Sequence, residues 1–242
     1  RVERREVNRP AFEKFLRESF ARNRPWNEMV GELVAAHGRN DQNGATNFLL
    51  AHLNNDATPA TAITARLFLG TQVQCTQCHN HPFNNWRQEQ FHGLTAFFKS
   101  TRSEPVRGSE AFELISEAID GSTFFEDRQG VLHMAPAGLG ARKVDLKGET
   151  NPRAVLATLM TVAGDPRLAL ATVNRTWARL LGRGFTSPVD DMGPHNPASH
   201  PEVLDRLASE FVASGFDVKQ LVRWICNTRV YGLTSRMEAE NS

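Results

Sequence analysis

A mainly α fold with a small irregular or weakly β insert is what the sequence predicts, on three observations. Apolar residues recur at helical spacing towards both ends of the chain. Prolines preceded by a short polar residue stand where first helical turns would begin. One stretch, 101–150, loses the helical pattern to Gly, Pro and charged residues.

Taken in order, Asn8-Arg9-Pro10 opens a helix whose Phe12, Phe15, Leu16 and Phe20 share a face. A second helix begins after Pro25, with Trp26, Met29, Val30, Leu33 and Val34 on one side, and stops near His37-Gly38. A third carries Phe48, Leu49 and Leu53. The fourth starts at Thr58-Pro59 and runs through Ile63, Leu67, Phe68 and Leu69 towards Cys75. After a loop over 75–86, residues 87–99 again read as helix, with Phe91, Leu94, Phe97 and Phe98 as the apolar stripe. The insert holds only short alternating runs, at 122–126 and 130–134.

From Asn151-Pro152 the helical pattern resumes, and Asp165-Pro166 opens a helix bearing Leu168, Leu170, Val173, Trp177, Leu180 and Leu181 before Gly182. Two further helices are expected over 200–213 and 217–228. These elements divide the chain into a helical region over 1–100, the insert over 101–150, and a helical region over 151–242 packed with the first as one unit. No internal repeat or low-complexity tract interrupts it.

With 40% hydrophobic residues among 242, a sizeable core is available to one large unit or two small ones. Fifteen Phe and four Trp against a single Tyr favour purely apolar rings, which suit a deep core or a flat hydrophobic ligand. A formal net charge of +1 argues against a dominant nucleic-acid or anionic-membrane role. No stretch approaches the roughly 18 apolar residues of a membrane span. The chain opens on Arg1 rather than Met, so it reads as a processed or excised piece in which a removed export signal leaves no trace. Three cysteines are too few for a disulfide framework.

Cys75-Thr76-Gln77-Cys78-His79 carries the chemistry. Two thiols three positions apart can reach the two vinyl groups of one porphyrin, and the next residue then meets the iron. From the Cys and His frequencies of this chain, the pattern arises by chance on the order of 10⁻³ times. The expectation is one covalent haem c on Cys75 and Cys78, with His79 as proximal iron ligand. Three other readings compete. Structural zinc wants four ligands, and only His81 and the distant Cys226 could supplement the cluster. A thioredoxin-like pair wants a preceding strand and a helix directly after it, whereas a helix precedes Cys75 and Pro82 interrupts the downstream residues. A disulfide across so tight a loop restrains the unfolded chain only weakly.

Downstream, His81-Pro82-Phe83-Asn84-Asn85-Trp86 offers two apolar rings, Phe83 and Trp86, that could pack on a porphyrin or on the core. His81 is too close to His79 to reach the opposite haem face without a sharp reversal, so it suits a supporting hydrogen bond or plain surface exposure.

Two blocks of residues resemble the planctomycete cytochrome c-like families in which a PSCyt-type domain precedes a PSD-type domain. The first is Leu67-Phe68-Leu69-Gly70, then Gln74 through Cys75-Thr76-Gln77-Cys78-His79-Asn80-His81-Pro82-Phe83 to Trp86, then Gly93-Leu94-Thr95-Ala96-Phe97-Phe98. The second is Val173-Asn174-Arg175-Thr176-Trp177, Gly182-Arg183-Gly184, Pro188-Val189-Asp190-Asp191, Asn196-Pro197-Ala198-Ser199-His200-Pro201-Glu202 and Phe211-Val212-Ala213-Ser214-Gly215. The resemblance implies an exported, haem-binding or cytochrome-like protein, often within longer multidomain chains and with no established substrate. Such relatives usually have a longer middle region and continue further past the segment resembling Cys226 to Ser235.

Ser199-His200-Pro201-Glu202 has the form of a capping box. His200 would then lie in a first helical turn, where the helix dipole favours a neutral imidazole, making it the leading candidate for distal iron ligand or else a local hydrogen-bonding group. Met134 is a weaker candidate and Met192 another, either of which serves equally as core filler. Arg175, Arg179 and Arg183 are spaced along one helix face and call for a shared anion, either a haem propionate on Arg175 or the carboxylates of Asp190 and Asp191.

Three functions are carried forward. The first is a c-type haem protein acting in electron transfer or haem-based redox chemistry in a periplasmic or otherwise exported compartment, with a redox partner protein and no nucleic acid. The second is a haem enzyme whose open iron acts on peroxide or a small ligand. The third is a zinc-binding or haem-free interaction domain. The oligomeric state is left open by the sequence.

Overall fold

The computed structural model describes residues 6–53, 57–118, 121–161 and 165–233, and a capping side chain opens some of its helices and not others. Asn8 Oδ1 accepts the Ala11 N–H at 3.1 Å ahead of α1 (Arg9–Ala21), with Pro10 in its first turn. α2 spans Trp26–Ala35, α3 Thr46–Leu50 and α4 Thr58–Phe68. α5 (Gln88–Thr95) is shorter than its apolar stripe predicts. Phe97 and Phe98 are fully buried, but in the turn just past its end. Towards the C-terminus lie α6 (Pro152–Thr161), α7 (Arg167–Leu181), α8 (Pro201–Ala213) and α9 (Val218–Cys226). Gly182, at φ 81°, closes α7 in the left-handed conformation that a residue with a Cβ resists. Asp217 caps α9 by accepting the Gln220 N–H at 2.8 Å. The expected capping box does not form: His200 occupies the cap of α8 without a side-chain cap bond.

The mainly α prediction is overturned between α5 and α6. Helix accounts for about 45% of the structure and strand for 13%, in three small sheets, so the fold is mixed α and β. β2 (Thr101–Pro105) and β3 (Phe112–Ser116) pair antiparallel, and β1 (Gly38–Arg39) adds to the free side of β3, giving the order β1-β3-β2. β4 (Ser122–Glu126) and β5 (Leu132–Pro136) form a second antiparallel pair. β6 (Gly138–Leu139) and β7 (Arg142–Lys143) form a third. The runs at 122–126 and 130–134 are therefore a true hairpin. Among the described residues no strand exceeds five residues, and β1 is recruited from the distant α2–α3 connection, so helical periodicity elsewhere outweighed alternation here.

The larger core collects α2, α3, α4, α5 and α6 together with Leu114, Leu139 and Leu146. A smaller one lies among α7, α8 and α9, and Trp26 and Phe216 pack against both. Gly93 of α5 sets the position of the second hairpin: a Cβ there would stand 2.7 Å from the Pro136 carbonyl oxygen. The hairpin can therefore lie directly on α5, beside the chain that leaves α4.

Candidate functional site

α4 delivers the chain to Gly70, whose φ of 64° turns it under Met192 and Ala171. Residues Gln74–Gln77 then make one 3₁₀ turn. Thr76 is fully buried and its hydroxyl donates to the Val73 carbonyl at 2.5 Å. With Thr76 turned inward, Cys75 and Cys78 on either side face out, and both are exposed free thiols. His79 comes next, half-buried, with Nδ1 2.6 Å from the Asn80 carbonyl oxygen. A carbonyl only accepts, so Nδ1 carries the hydrogen and Nε2 keeps its lone pair.

The loop around this turn is tied from several sides. Asn80 Oδ1 accepts the Gln88 N–H at 3.0 Å, and Gln88 Nε2 donates to the carbonyls of Gln77 and Glu126. The His81 N–H donates to the Trp86 carbonyl at 2.8 Å, closing residues 81–86. His81 Nδ1 accepts from the N–H groups of Phe83 (3.2 Å) and Asn84 (3.1 Å). That bonding makes His81 the loop's own clasp. Phe83 is 76% exposed, with its ring edge-on to His81, whereas Trp86 packs half-buried on the larger core with the Arg167 guanidinium 6.0 Å from its ring.

From the far side of the sequence, the loop after α7 meets this turn. The His81 and His195 rings are 5.7 Å apart, and His195 Nε2 donates to Asp191 Oδ2 at 3.1 Å. Burial pushes the His81 imidazole below its ordinary pKa, against the nearby charge of Asp191. Asn84 Nδ2, Asp191 Oδ1 and His195 Nδ1 are buried there without a hydrogen-bond partner.

Beside Cys78 and His79 opens a cleft of about 330 Å³. Residues 78–80 form one wall, the start of α5 with Arg87 another, and the β4–β5 hairpin a third, through Phe125, Asp127, Arg128 and His133. His92 of α5 stacks flat on Phe125, with centroids 4.6 Å apart and planes 1° from parallel. Phe125 in turn stacks on His133 at 5.3 Å, and His133 Nε2 lies 2.7 Å from Asp127 Oδ2. Sequence reasoning misses this group. Its signal is the Asp127-Arg128-Gln129-Gly130 turn, which brings Phe125 opposite His133 once the run is read as a hairpin.

The other predicted residues stand elsewhere. Met134 pairs with Phe124 and is 59% exposed on the face of the hairpin opposite His133. His200 is exposed, with Nδ1 3.2 Å from Ser199 Oγ, and is not among the walls of the cleft. Met192 packs on Gly70. Arg175 donates to the Arg66 carbonyl at 3.1 Å, near Asp190, which pairs with Arg66 and accepts from Gln72 at 3.0 Å. Asp190 is thus paired directly with Arg66, and Arg175 acts on it through charge. Cys226 stands on α9. Among the described residues, no group of three or more His, Cys, Asp or Glu side chains could hold a metal ion by itself. No helix among them is long and apolar enough to cross a membrane.

Residues 1–103 match the family model PSCyt2, a protein of unknown function (DUF1549), and residues 152–242 match PSD1, likewise a protein of unknown function (DUF1553). Both are planctomycete-type domain families. The second and third sheets lie in the stretch between the two matches. No curated protein and no solved structure matches the chain.

Proposed function

We propose that this chain is a c-type haem protein, cytochrome-like in character, that works in an exported compartment with a redox partner protein. The observation that carries the reading is one turn holding two free, exposed thiols and, directly after them, an imidazole with its ligating nitrogen open. In this proposal Cys75 and Cys78 hold the macrocycle by thioether bonds. His79 binds the iron through Nε2 while its Nδ1–H, held by the Asn80 carbonyl, fixes the ring and raises its basicity.

The surroundings fit that group. Phe83 supplies an uncovered apolar ring on the same loop, Phe125 an aromatic wall beside Cys78 and His79, and Arg87 and Arg128 two cations on that cleft for propionates. His81, as the clasp of the loop, keeps Asn80 and hence the His79 ring in place. When bound, the haem supplies an iron that passes one electron at a time, with a potential set by its axial ligands and its exposure.

Expression in a host with haem-ligation machinery, and then denaturing mass analysis, tests the proposal. The expected result is a polypeptide heavier by one haem, reduced to the bare mass when Cys75→Ala and Cys78→Ala are combined. A bare mass for the unmodified sequence, or stoichiometric zinc without iron, overturns it.

A further inference from the structure

Alternation along the β4–β5 hairpin sends Thr123, Phe125, His133 and Ala135 to one side, where Thr123 and Ala135 are buried and Phe125 stacks on His92 of α5. Phe124 and Met134, a directly opposed pair, and Leu132 beside them therefore face the other way. Each of the three is more than half exposed, up to 69% at Leu132, and none belongs to either core. Val131, also half exposed, precedes them at the turn. Single exposed apolar residues are ordinary, but these three adjoin and leave roughly 300 Å² of apolar surface in water, a size of patch that marks interaction sites. Among the strand residues of this face only Glu126, opposite Leu132, is charged.

We infer that this face is an interface between two copies of the chain, packed hairpin on hairpin about a two-fold axis beside Met134. The face carries no cation for a phosphate or an acidic protein, and its one carboxylate stands at the turn end, so its complement is another apolar face. A second copy supplies one of equal area. Two such faces together remove roughly 600 Å² of apolar surface, against the ~1,000 Å² of apolar area in a standard interface, which makes the hairpin the apolar centre of a small, reversible dimer. Hairpins crossing with opposite strand directions keep the two Glu126 carboxylates at opposite ends of the contact. The free edge of β5 is the other place to recruit a strand. The Asp127 N–H donates to the Val131 carbonyl at 3.0 Å, and alternation from there turns the N–H and C=O groups of Leu132 and Met134 outward to that edge. Water satisfies such groups, so pairing them gains little, whereas the apolar side chains gain by leaving water. Face packing therefore outweighs edge pairing. The cleft beside His79 is lined from the opposite side of the hairpin, by Phe125 and His133, so association leaves it uncovered.

Sedimentation equilibrium of the full chain tests this, in reducing buffer so that the free thiols of Cys75, Cys78 and Cys226 form no cross-link. The mass is expected to climb from 27.0 kDa towards twice that value as the protein is concentrated through the micromolar range. Met134→Lys and Phe124→Lys are each expected to raise the dissociation constant roughly a hundredfold, because the two-fold axis places two like charges in one contact. Met134→Gln, which burdens the hairpin less, is expected to raise it about tenfold. Val203→Lys and Val212→Lys, at exposed apolar positions of α8, are expected to leave it unchanged. Far-UV circular dichroism checks that each variant is folded. A mass that stays at 27.0 kDa at every concentration overturns the proposal. So does a dimer that survives the hairpin substitutions, or a monomer that binds phosphatidylcholine vesicles through this face in place of a second copy.

Discussion

Arg153 is buried to 0% exposure, and no carboxylate is among its hydrogen-bond partners. Its guanidinium donates to the carbonyls of Val34 and Ala36, at the C-terminal end of α2, and to the hydroxyls of Thr101 and Ser116. Burial pushes its pKa down to about 10, which still leaves it charged at neutral pH, where it complements the negative end of the α2 dipole. Arg153→Met keeps much of the volume but orphans these acceptors, so a loss of about 2–4 kcal/mol is expected in urea unfolding, with Arg153→Lys in between because one ammonium cannot span the fork. Asp190 makes a pH prediction. Burial acts to raise its carboxyl, but hydrogen bonds from Arg66 and Gln72 and the charges of Arg66 and Arg175 hold it below the usual carboxylate range. A depressed carboxylate stabilises the fold above its unfolded pKa and loses that contribution as pH falls through the folded one. Thermal melts are therefore expected to show a drop below about pH 4 that Asp190→Asn flattens. At this scale the sequence was most legible where chemistry is contiguous, as in Cys75, Cys78 and His79. His133 was invisible because its meaning comes from Phe125 and Asp127 across a turn.

Element by element, the helices were legible because their signals are local: Asn8 ahead of α1, Pro10 and Pro59 in first turns, Gly182 past an end. The sheets were not, because their partners are remote. Asn40 shows how the first one is held. Its backbone N–H donates to the Phe112 carbonyl at 2.9 Å and its Oδ1 accepts the Phe112 N–H at 3.1 Å, so its side chain supplies the acceptor that a paired strand residue would offer β3. Nothing near Asn40 in sequence announces that role. The second hairpin depends on contact rather than on bonds to a third strand. A Cβ on Gly93 would meet the Pro136 carbonyl at 2.7 Å, a backbone atom that cannot swing aside. Gly93→Val is thus expected to cost about 1–3 kcal/mol, read as a lower thermal midpoint, and to lift β5 and His133 off α5. The same change would be nearly harmless if the hairpin were a loose appendage, as an irregular insert would be.

At the scale of the whole molecule, the two family-matched stretches share one body. α6, from the second match, packs on α2, from the first, and brings Arg153 into the larger core. The Asn151 side chain donates to the Ala35 carbonyl at 2.9 Å, and Trp26 Nε1 donates to Thr172 Oγ1 at 2.9 Å. Arg66 of α4 pairs with Asp190 in the loop that also presents His195 to His81. The turn over residues 75–79 and its loop are therefore braced by residues more than a hundred positions away, a dependence no local pattern expresses. Two independent domains would melt separately; a shared core should melt as one. Urea unfolding monitored by tryptophan fluorescence and by far-UV circular dichroism is expected to give coincident transitions. A piece ending at residue 150, lacking α6 and the buried Leu156 and Met160, is expected to stay unfolded, since α2 would then expose its apolar face and lose its buried cap. Because His81 meets His195 only when both stretches are present, such a piece should also take up haem poorly even though it retains Cys75, Cys78 and His79. Efficient haem loading of the short piece would show instead that the turn is self-sufficient and that the second stretch serves some other end.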